Sequence, residues 1–271
     1  MAAIVIQPTR GWRRLRLREL WESRELLWFL VWRDVKVRYK QTAFGVAWAV
    51  LQPLVMMVIF TVFLGHLAKI GTGRVPYPLF VYSGLVPWIF FSQALSTTSQ
   101  SLVANQALVA KIYFPRLLLP LASIGSYLMD LGISFLLLIV LMAHYGVHVS
   151  ARLAVLPAFV LLGILTLFAV GILFASLNVR YRDVKYAVTA MLQAWLFLSP
   201  VVYPASLIPS PLRAVYGLNP MVGVIEGFRW TLLGTSPPGA MVAVSAAVTL
   251  LLLVGSLWYF VKTERGFADV I

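Results

Sequence analysis

The chain has 271 residues, of which 61% are hydrophobic and 11% are charged, and its mean hydropathy is +0.89. Soluble domains carry about 25% charged residues, so this composition excludes a water-soluble globular protein, and its hydrophobicity excludes a disordered chain. Cysteine is absent, which excludes a disulfide framework, a cysteine-based zinc site and a thiol nucleophile. The composition therefore predicts an all-α integral membrane protein that crosses the bilayer several times.

The long intervals between charged residues predict the membrane spans. A bilayer core of about 30 Å requires roughly 20 apolar residues in a helix. Six intervals satisfy this requirement, and they predict spans at residues 44–66, 79–98, 117–143, 153–177, 187–204 and 240–261. The predicted organisation is a cytoplasmic N-terminal segment (1–43), a six-span domain (44–261) and a cytoplasmic tail (262–271).

Lys and Arg are distributed unevenly among the segments between the predicted spans. With the N-terminus inside, the inner segments hold 17 of these residues and the outer segments hold five. The positive-inside rule therefore predicts that both termini are cytoplasmic. Because topology accounts for most of the net charge of +13, nucleic acid is not a predicted partner.

Residues 15–40 combine charged residues with leucines and tryptophans at helical spacing. The apolar positions are Leu17, Leu20, Trp21, Trp28, Val31, Val35 and Tyr39, and the polar ones are Arg18, Glu22, Glu25, Arg33, Lys36 and Lys40. This pattern predicts an amphipathic helix lying in the membrane interface. The helix is either a simple anchor or a docking site for a cytoplasmic partner.

Residues suited to chemistry are scarce in this chain. The sequence has no phosphate-binding loop of the G-x-x-x-x-G-K-[ST] type, so no nucleotide site of that kind and no cofactor are predicted on it. His144 and His148 have helical spacing, but no carboxylate lies near them in the sequence, and no metal site is predicted there. We therefore predict a protein without catalytic activity of its own.

Asp130 is the one acidic residue inside a predicted span. A carboxylate near the middle of a span costs about 2.5–3.5 kcal/mol to insert, so its presence requires a reason. It is either a proton relay or pore contact, or a protonated or hydrogen-bonded packing residue between helices. No other predicted span supplies a basic partner, so we favour the packing role.

Several segments outside or at the ends of the spans carry distinctive motifs. They are residues 33–45 followed by Trp48 and Pro53, residues 105–120 centred on Lys-Ile-Tyr-Phe-Pro-Arg (111–116), Asn-Val-Arg-Tyr-Arg-Asp-Val (178–184), and residues 199–234 with Ser-Pro-Val-Val-Tyr-Pro, Leu-Asn-Pro-Met and Glu-Gly-Phe-Arg. In this order and spacing, over residues 20–265, they resemble the membrane subunit of ABC exporters that move polysaccharides or polyol phosphates. Permeases for O-antigen, capsule and wall teichoic acid belong to that group.

The resemblance implies how such a chain works. It implies a homodimer with the pore between two copies, two copies of a separate ATPase that binds ATP and magnesium, and a lipid-linked glycan as cargo crossing the bacterial inner membrane. An ABC export permease for drugs or lipids is the main alternative. A membrane enzyme of glycan assembly is a further alternative.

Residues 105–116 are predicted to form the coupling loop that contacts the ATPase. Tyr113 and Phe114 are expected to fill an apolar groove of the partner, flanked by Lys111 and Arg116, because aromatic and arginine residues dominate interface energetics. Pro115 is expected to end the short helix. The junction before the first span supplies a further group of candidate residues, namely Arg33, Asp34, Lys36, Arg38 and Tyr39.

Residues 199–239 are external by the charge rule, yet they are mostly apolar and rich in proline. They predict short, broken, partly re-entrant helices, and the resemblance implies an external gate. The candidate gate residues are Tyr203, Pro204, Pro209, Asn219, Pro220, Glu226 and Arg229. Glu226 and Arg229 either pair with each other or face a wet exit, and a packed cap without gating is the alternative.

Aromatic residues make up 13% of the chain. Belts at the two membrane interfaces explain most of them. A glycan pore offers a second use, because flat rings stack on cargo without fixing it in one place. The candidate pore residues are Trp48, Trp88, Phe90 and Trp195.

Overall fold

The computed structural model describes residues 17–40, 47–73, 75–148, 150–237 and 239–267, and it is 83% helical. The α-helices are α1 (Leu17–Glu22), α2 (Arg24–Lys40), α3 (Ala47–Phe60), α4 (Tyr77–Ala104), α5 (Gln106–Lys111), α6 (Leu118–His144), α7 (Leu156–Arg180), α8 (Val184–Phe197), α9 (Arg213–Tyr216), α10 (Pro220–Leu233) and α11 (Ala240–Thr263). A π-helical stretch, Thr61–Leu67, extends α3. The described residues contain no strand, and the predicted all-α fold is confirmed.

Among the described residues, five helical stretches are long and apolar enough to cross a bilayer. They are Ala47–Leu67, Tyr77–Ala104, Leu118–His144, Ala151–Arg180 and Ala240–Thr263, and they overlap five of the six predicted spans. The predicted span at 187–204 corresponds to α8, which has 14 residues and is about 21 Å long. This length is less than the bilayer core, so the count of six spans remains a prediction.

Helix α4 is the centre of the bundle. In the apolar 18-residue stretch that makes α4 a candidate span, 78% of the residues are buried. The corresponding share is 17% in α3 with its extension and 17% in α11. It packs against α6, α7 and α10, while α11 packs against α7 and α10 on the far side. The outer helices therefore present apolar surface that lipid or a second copy of the chain would cover.

One end of the bundle is closed by a separate hydrophobic cluster, here called the basal cluster. It joins the end of α4, the start of α6 and the ends of α7 and α11. Its buried members are Leu30, Leu102, Val109, Leu117, Leu118, Leu119, Ala122, Ile172, Ala175, Val179, Phe260 and Phe267. We call this end of the molecule the basal end. The 28 residues of α4 place the opposite end about 42 Å away.

Helix α2 lies along α6, but only part of its predicted apolar face is buried. Val35 is buried, and the Val31 side chain fits against Gly125 of α6, where an added Cβ would lie 2.8 Å from it. Trp28 of α2 is exposed instead, as is Trp21 of the preceding α1, and Leu30, which the pattern did not select, is buried. Helix α2 thus has apolar residues on two sides, as expected for a helix between protein and lipid. Residues 41–45 of the predicted junction lie outside the described residues.

Candidate functional site

The predicted coupling loop forms a short projection at the basal end. Helix α5 ends at Lys111, Ile112 is extended, and the Tyr113 side chain is 82% exposed. The next residue, Phe114, turns back and packs against the basal cluster. The two aromatic residues predicted to act together therefore lie on different sides of the loop, with Tyr113 exposed and Phe114 packed against the basal cluster.

Arg116 and Pro115 have structural roles that the sequence did not indicate. The Arg116 guanidinium donates to the backbone carbonyl of Glu264, just after the end of α11, and lies 5.9 Å from the centre of the Phe267 ring. It therefore points into the protein rather than flanking an exposed groove. Pro115 does not end α5, because α5 stops at Lys111. Its carbonyl instead accepts a 3.0 Å hydrogen bond from the amide of Leu118 at the start of α6.

A polar cluster lies halfway along α6. Asp130 accepts from the guanidinium of Arg38, 2.6 Å away, and from the hydroxyl of Tyr39. Arg38 also donates to the carbonyl and the hydroxyl of Ser126, and it lies 3.5 Å from the centre of the Tyr127 ring. The basic partner of Asp130 thus exists, but it comes from α2, where a search restricted to the spans does not find it. Asp130 is thus hydrogen-bonded between helices, as the packing role expects, and that role remains a prediction.

The other residues of the predicted junction remain near the surface of α2. Arg33 pairs with its neighbour Asp34 at 2.8 Å, and both are partly exposed. Lys36 is exposed and its ammonium lies 5.3 Å from the centre of the Trp32 ring. Of the five candidate residues at this junction, only Arg38 and Tyr39 therefore belong to the polar cluster.

A cavity of about 140 Å³ adjoins the polar cluster, between α2, α3, α4 and α6. On its α3–α4 side the amide of Gln93 donates to the side-chain oxygen of Gln52, at 2.7 Å. The candidate pore residue Trp48 also lines it, with a ring that is 51% exposed. Sequence reasoning passed over the two glutamines, although an amide inside an apolar span is itself a signal.

The opposite end is organised by Arg229 of α10, whose side chain is 0% exposed. Its guanidinium donates to the carbonyls of Phe80, Pro200 and Val201, and to the carboxylate of Glu226 at 3.1 Å. Of the two predicted alternatives, Glu226 and Arg229 therefore pair with each other, and the buried Arg229 does not face a wet exit. It holds the turn after α8 against the start of α4.

Asn219 makes the second connection at this end. Its side-chain oxygen accepts from the amide of Met221, which caps α10, and from the indole of Trp195 at 2.8 Å. Its amide nitrogen donates to the carbonyl of Leu198 and the hydroxyl of Ser199. Pro220 begins α10 as its first residue, a position where a missing N–H costs nothing. One side chain thus joins the end of α8 to the start of α10.

The stretch between these anchors is less buried. Pro204 and Pro209 each precede a short 3-10 turn, Ala205–Leu207 and Ser210–Leu212. The hydroxyls of Tyr203 and Tyr216 lie 2.9 Å apart. Burial, followed by the hydrogen bond to Tyr203, raises the pKa of the Tyr216 phenol, so it remains protonated and neutral. This stretch thus contains short helical turns, while the re-entrant gate helices remain a prediction.

The candidate pore aromatics separate into two groups. Trp88 is only 4% exposed, and the rings of Phe91 and Trp195 meet edge to face at 5.1 Å beside it. Phe90 is also buried in the core. The candidates Trp88, Phe90 and Trp195 therefore pack within one subunit. Their rings fill the space between α4 and α8 or between α4 and its other neighbours. Trp48 alone among the four is largely exposed.

The model of the ABC-2 type transporter family matches residues 25–233, and the chain belongs to that family. It is 30% identical to the O-antigen export system permease protein RfbA of Myxococcus xanthus, over 94% of this chain and 98% of that protein. It is 25% identical to a Klebsiella pneumoniae protein of the same name, over 91% and 95% of the two chains. It is also 24% identical to the polysialic acid transport protein KpsM of Escherichia coli, over 86% and 91%.

The resemblance that the loop motifs indicated is therefore confirmed. The chain is a multi-pass membrane protein and the permease of an ABC exporter, which is a transport subunit. Its membership also implies a partner ATPase subunit.

Proposed function

We propose that this chain is the permease of an ATP-driven exporter that moves a lipid-linked polysaccharide, related to O-antigen, across the bacterial inner membrane. Two copies form the pore, and two copies of a separate ATPase, which binds ATP and magnesium, supply the energy. Both termini and the basal end face the cytoplasm. The chain itself conducts and gates the cargo and performs no chemistry.

The near-complete match to the Myxococcus xanthus permease carries this proposal, because it covers both the coupling loop and the gate segment rather than a single shared helix bundle. The basic residues support the orientation, since Lys111 and Arg116 of the coupling loop lie at the basal end together with Arg180 and Lys262. Tyr113 supports the coupling role, because its side chain is exposed while the next residue, Phe114, packs against the basal cluster and holds the loop in place.

Deletion of the gene tests the cargo. We expect cells without the permease to lack the surface polymer and to accumulate it in the cytoplasm, and the intact gene to restore the surface polymer. Normal surface polymer in the deletion strain would contradict the proposal. Loss of resistance to hydrophobic compounds with unchanged polymer would favour the export of drugs or lipids instead.

The orientation has an independent test because the chain contains no cysteine. Single variants Lys111→Cys and Leu207→Cys place one thiol on each end, at exposed positions. A membrane-impermeant maleimide should label position 207 in intact spheroplasts, and position 111 only after the membrane is opened. Labelling of position 111 in intact spheroplasts would refute the assigned orientation.

A further inference from the structure

A short 3-10 turn, Glu264–Gly266, follows α11 and leads into Phe267, and residues 264–267 are here called the α11 turn. The Phe267 side chain is 3% exposed and belongs to the basal cluster. Its ring meets that of Phe260 edge to face, with 5.5 Å between the ring centres. The amide of Phe267 donates to the carbonyl of Glu264 and closes the turn. The buried ring therefore fixes the position of this carbonyl.

The coupling loop uses the same carbonyl of Glu264. The Arg116 guanidinium donates to it and lies 5.9 Å from the centre of the Phe267 ring. A backbone carbonyl has two lone pairs, so it can accept from the Phe267 amide and from Arg116 together. The C-terminal end of a helix also carries partial negative charge, which favours a cation there. One oxygen atom thus joins the α11 turn to the coupling loop.

The backbone hydrogen bonds at the two ends of the exposed stretch are local. The amide of Ile112 donates to the carbonyl of Leu108 at 3.1 Å, and the amide of Leu118 donates to the carbonyl of Pro115 at 3.0 Å. Such bonds shape each end of the stretch without setting where it stands against the bundle. Beyond α5, contacts with the bundle come from Phe114, which packs against the basal cluster, and from Arg116.

The position of the loop matters because Tyr113 projects from it. The Tyr113 side chain is 82% exposed, and Arg116 follows it by three residues. A side chain that is held in its binding position before the partner arrives loses less conformational freedom on binding, so the contact is stronger. Releasing Arg116 from the α11 turn would therefore weaken a contact made by Tyr113.

We propose that Phe267 is a positioning residue for the contact with the partner ATPase. Its buried ring holds the Glu264 carbonyl, and through this carbonyl Arg116 fixes the coupling loop. The inference rests on the proposed function, because it assumes that the ATPase binds the coupling loop. Phe267 is buried and acts on that contact through Arg116.

Hydrogen–deuterium exchange of the full chain in lipid nanodiscs tests whether the α11 turn restrains the loop, and residues 108–118 are the segment measured. The variants are Phe267→Ala, the conservative Phe267→Leu, and Arg116→Met, which removes the hydrogen-bond donor. The control is Phe159→Ala, which removes another buried ring near the start of α7, away from the basal end. Thermal unfolding midpoints identify any variant that fails to fold, and Arg116→Met keeps the test decisive if Phe267→Ala is such a variant.

We expect exchange in residues 108–118 to be about ten-fold faster or more in Phe267→Ala and in Arg116→Met, because each variant releases the loop. In Phe267→Leu and Phe159→Ala it should stay within about three-fold of wild type. The double variant of Phe267→Ala and Arg116→Met should exchange no faster than the single variants, because both break one connection. Unchanged exchange in the two single variants, or equal acceleration in Phe159→Ala, would overturn the inference.

Binding of the co-expressed partner ATPase is the readout that a purely structural role of Phe267 would not change. We expect Phe267→Ala to bind it about five-fold more weakly or less, and Phe267→Leu and Phe159→Ala to bind it as wild type does. Faster loop exchange with unchanged ATPase binding would refute the positioning role. Weaker binding without faster loop exchange would also refute it, in favour of a direct contact.

The two proposals fail in different ways. If the wild-type chain binds no ATPase and its gene does not support polymer export in cells, the proposed function is wrong. If wild type does both, while Phe267→Ala and Arg116→Met match it in loop exchange and in ATPase binding, only the inferred positioning role is wrong.

Discussion

The guanidinium of Arg229 lies 3.6 Å from the centre of the Phe80 ring, although the two residues are 149 positions apart in the chain. Every N–H of this guanidinium has a partner, since its three nitrogens donate to three backbone carbonyls and to Glu226. The turn after α8 is thereby fixed to α4. This arrangement makes Arg229 a fixed anchor of residues 199–239, the predicted gate, and leaves residues 203–218 as their less constrained part.

Replacing the anchor should destabilise the whole protein. Arg229→Gln removes the charge that balances Glu226 and leaves backbone carbonyls without donors, and breaking a buried pair of this kind costs about 3–5 kcal/mol. The thermal unfolding midpoint in detergent measures the effect. Arg213→Gln is the control, because Arg213 also donates to backbone carbonyls but lies nearer the surface. Equal midpoints for the two variants would show that Arg229 is not an anchor.

Gly84 tests the same contact from α4. A Cβ at this position would lie 2.7 Å from Nη2 of Arg229 and 2.8 Å from the carbonyl oxygen of Val201, which is backbone and cannot rotate away. We expect Gly84→Ala to destabilise by about 1–3 kcal/mol through overpacking. Gly132→Ala on α6 meets nothing within 4 Å and should be neutral or stabilising by up to about 1 kcal/mol. A neutral Gly84→Ala would contradict the observed packing.

The two aromatic residues of the coupling loop should differ in their effects. Tyr113→Ala removes an exposed ring, so we expect stability within about 0.5 kcal/mol of wild type and at least ten-fold weaker binding of the partner ATPase. Phe114→Ala removes a ring from the basal cluster and should cost roughly 1–3 kcal/mol, less than a fully buried phenylalanine. Unfolding midpoints and co-purification of the ATPase separate the two. The role of Tyr113 is refuted if its variant retains the ATPase fully.

Arg38 and Asp130 should show energetic coupling. In a double-mutant cycle with Arg38→Gln and Asp130→Asn, we expect a coupling of about 1–3 kcal/mol, because each single variant leaves the other group unpaired. The matched cycle uses Arg33→Gln and Asp34→Asn, a more exposed pair on the same helix, and should give less than about 1 kcal/mol. Additive effects in the first cycle would mean that the contact contributes nothing to stability.

Much of the bundle was predictable because the relevant signals are local. Five of the predicted spans coincide with long apolar helices, since a bilayer allows few alternatives for an uncharged run. The two ends of α10 follow ordinary capping preferences. Asn219 and Pro220 stand at its start, and Gly234, which is left-handed with φ of 67°, stands at its end. The short α8 is a partial exception, because it ends at Phe197, just before Ser199 and Pro200, whereas the predicted span runs to residue 204.

The side-chain arrangement was not predictable because it depends on contacts between distant segments. Asp130 is 92 residues from Arg38, and nothing in either segment specifies that the last turn of α2 reaches the middle of α6. For the same reason, the sequence does not reveal which side of each helix faces the core. Trp48 and Trp88 have similar apolar surroundings in sequence, yet only Trp88 is buried. Arg116 looked like an exposed guide because its acceptor, the carbonyl of Glu264, is 148 residues away.

That bond from Arg116 to the far end of the chain has a mechanical consequence. Arg116, three positions after Tyr113, donates to the carbonyl of the residue that follows the final helix, and the Phe267 ring lies beside the same guanidinium. The start of α6 and the end of α11 are thereby tied together next to the loop. If the partner ATPase contacts Tyr113, as proposed, we expect a displacement of the loop to move both helices as a pair.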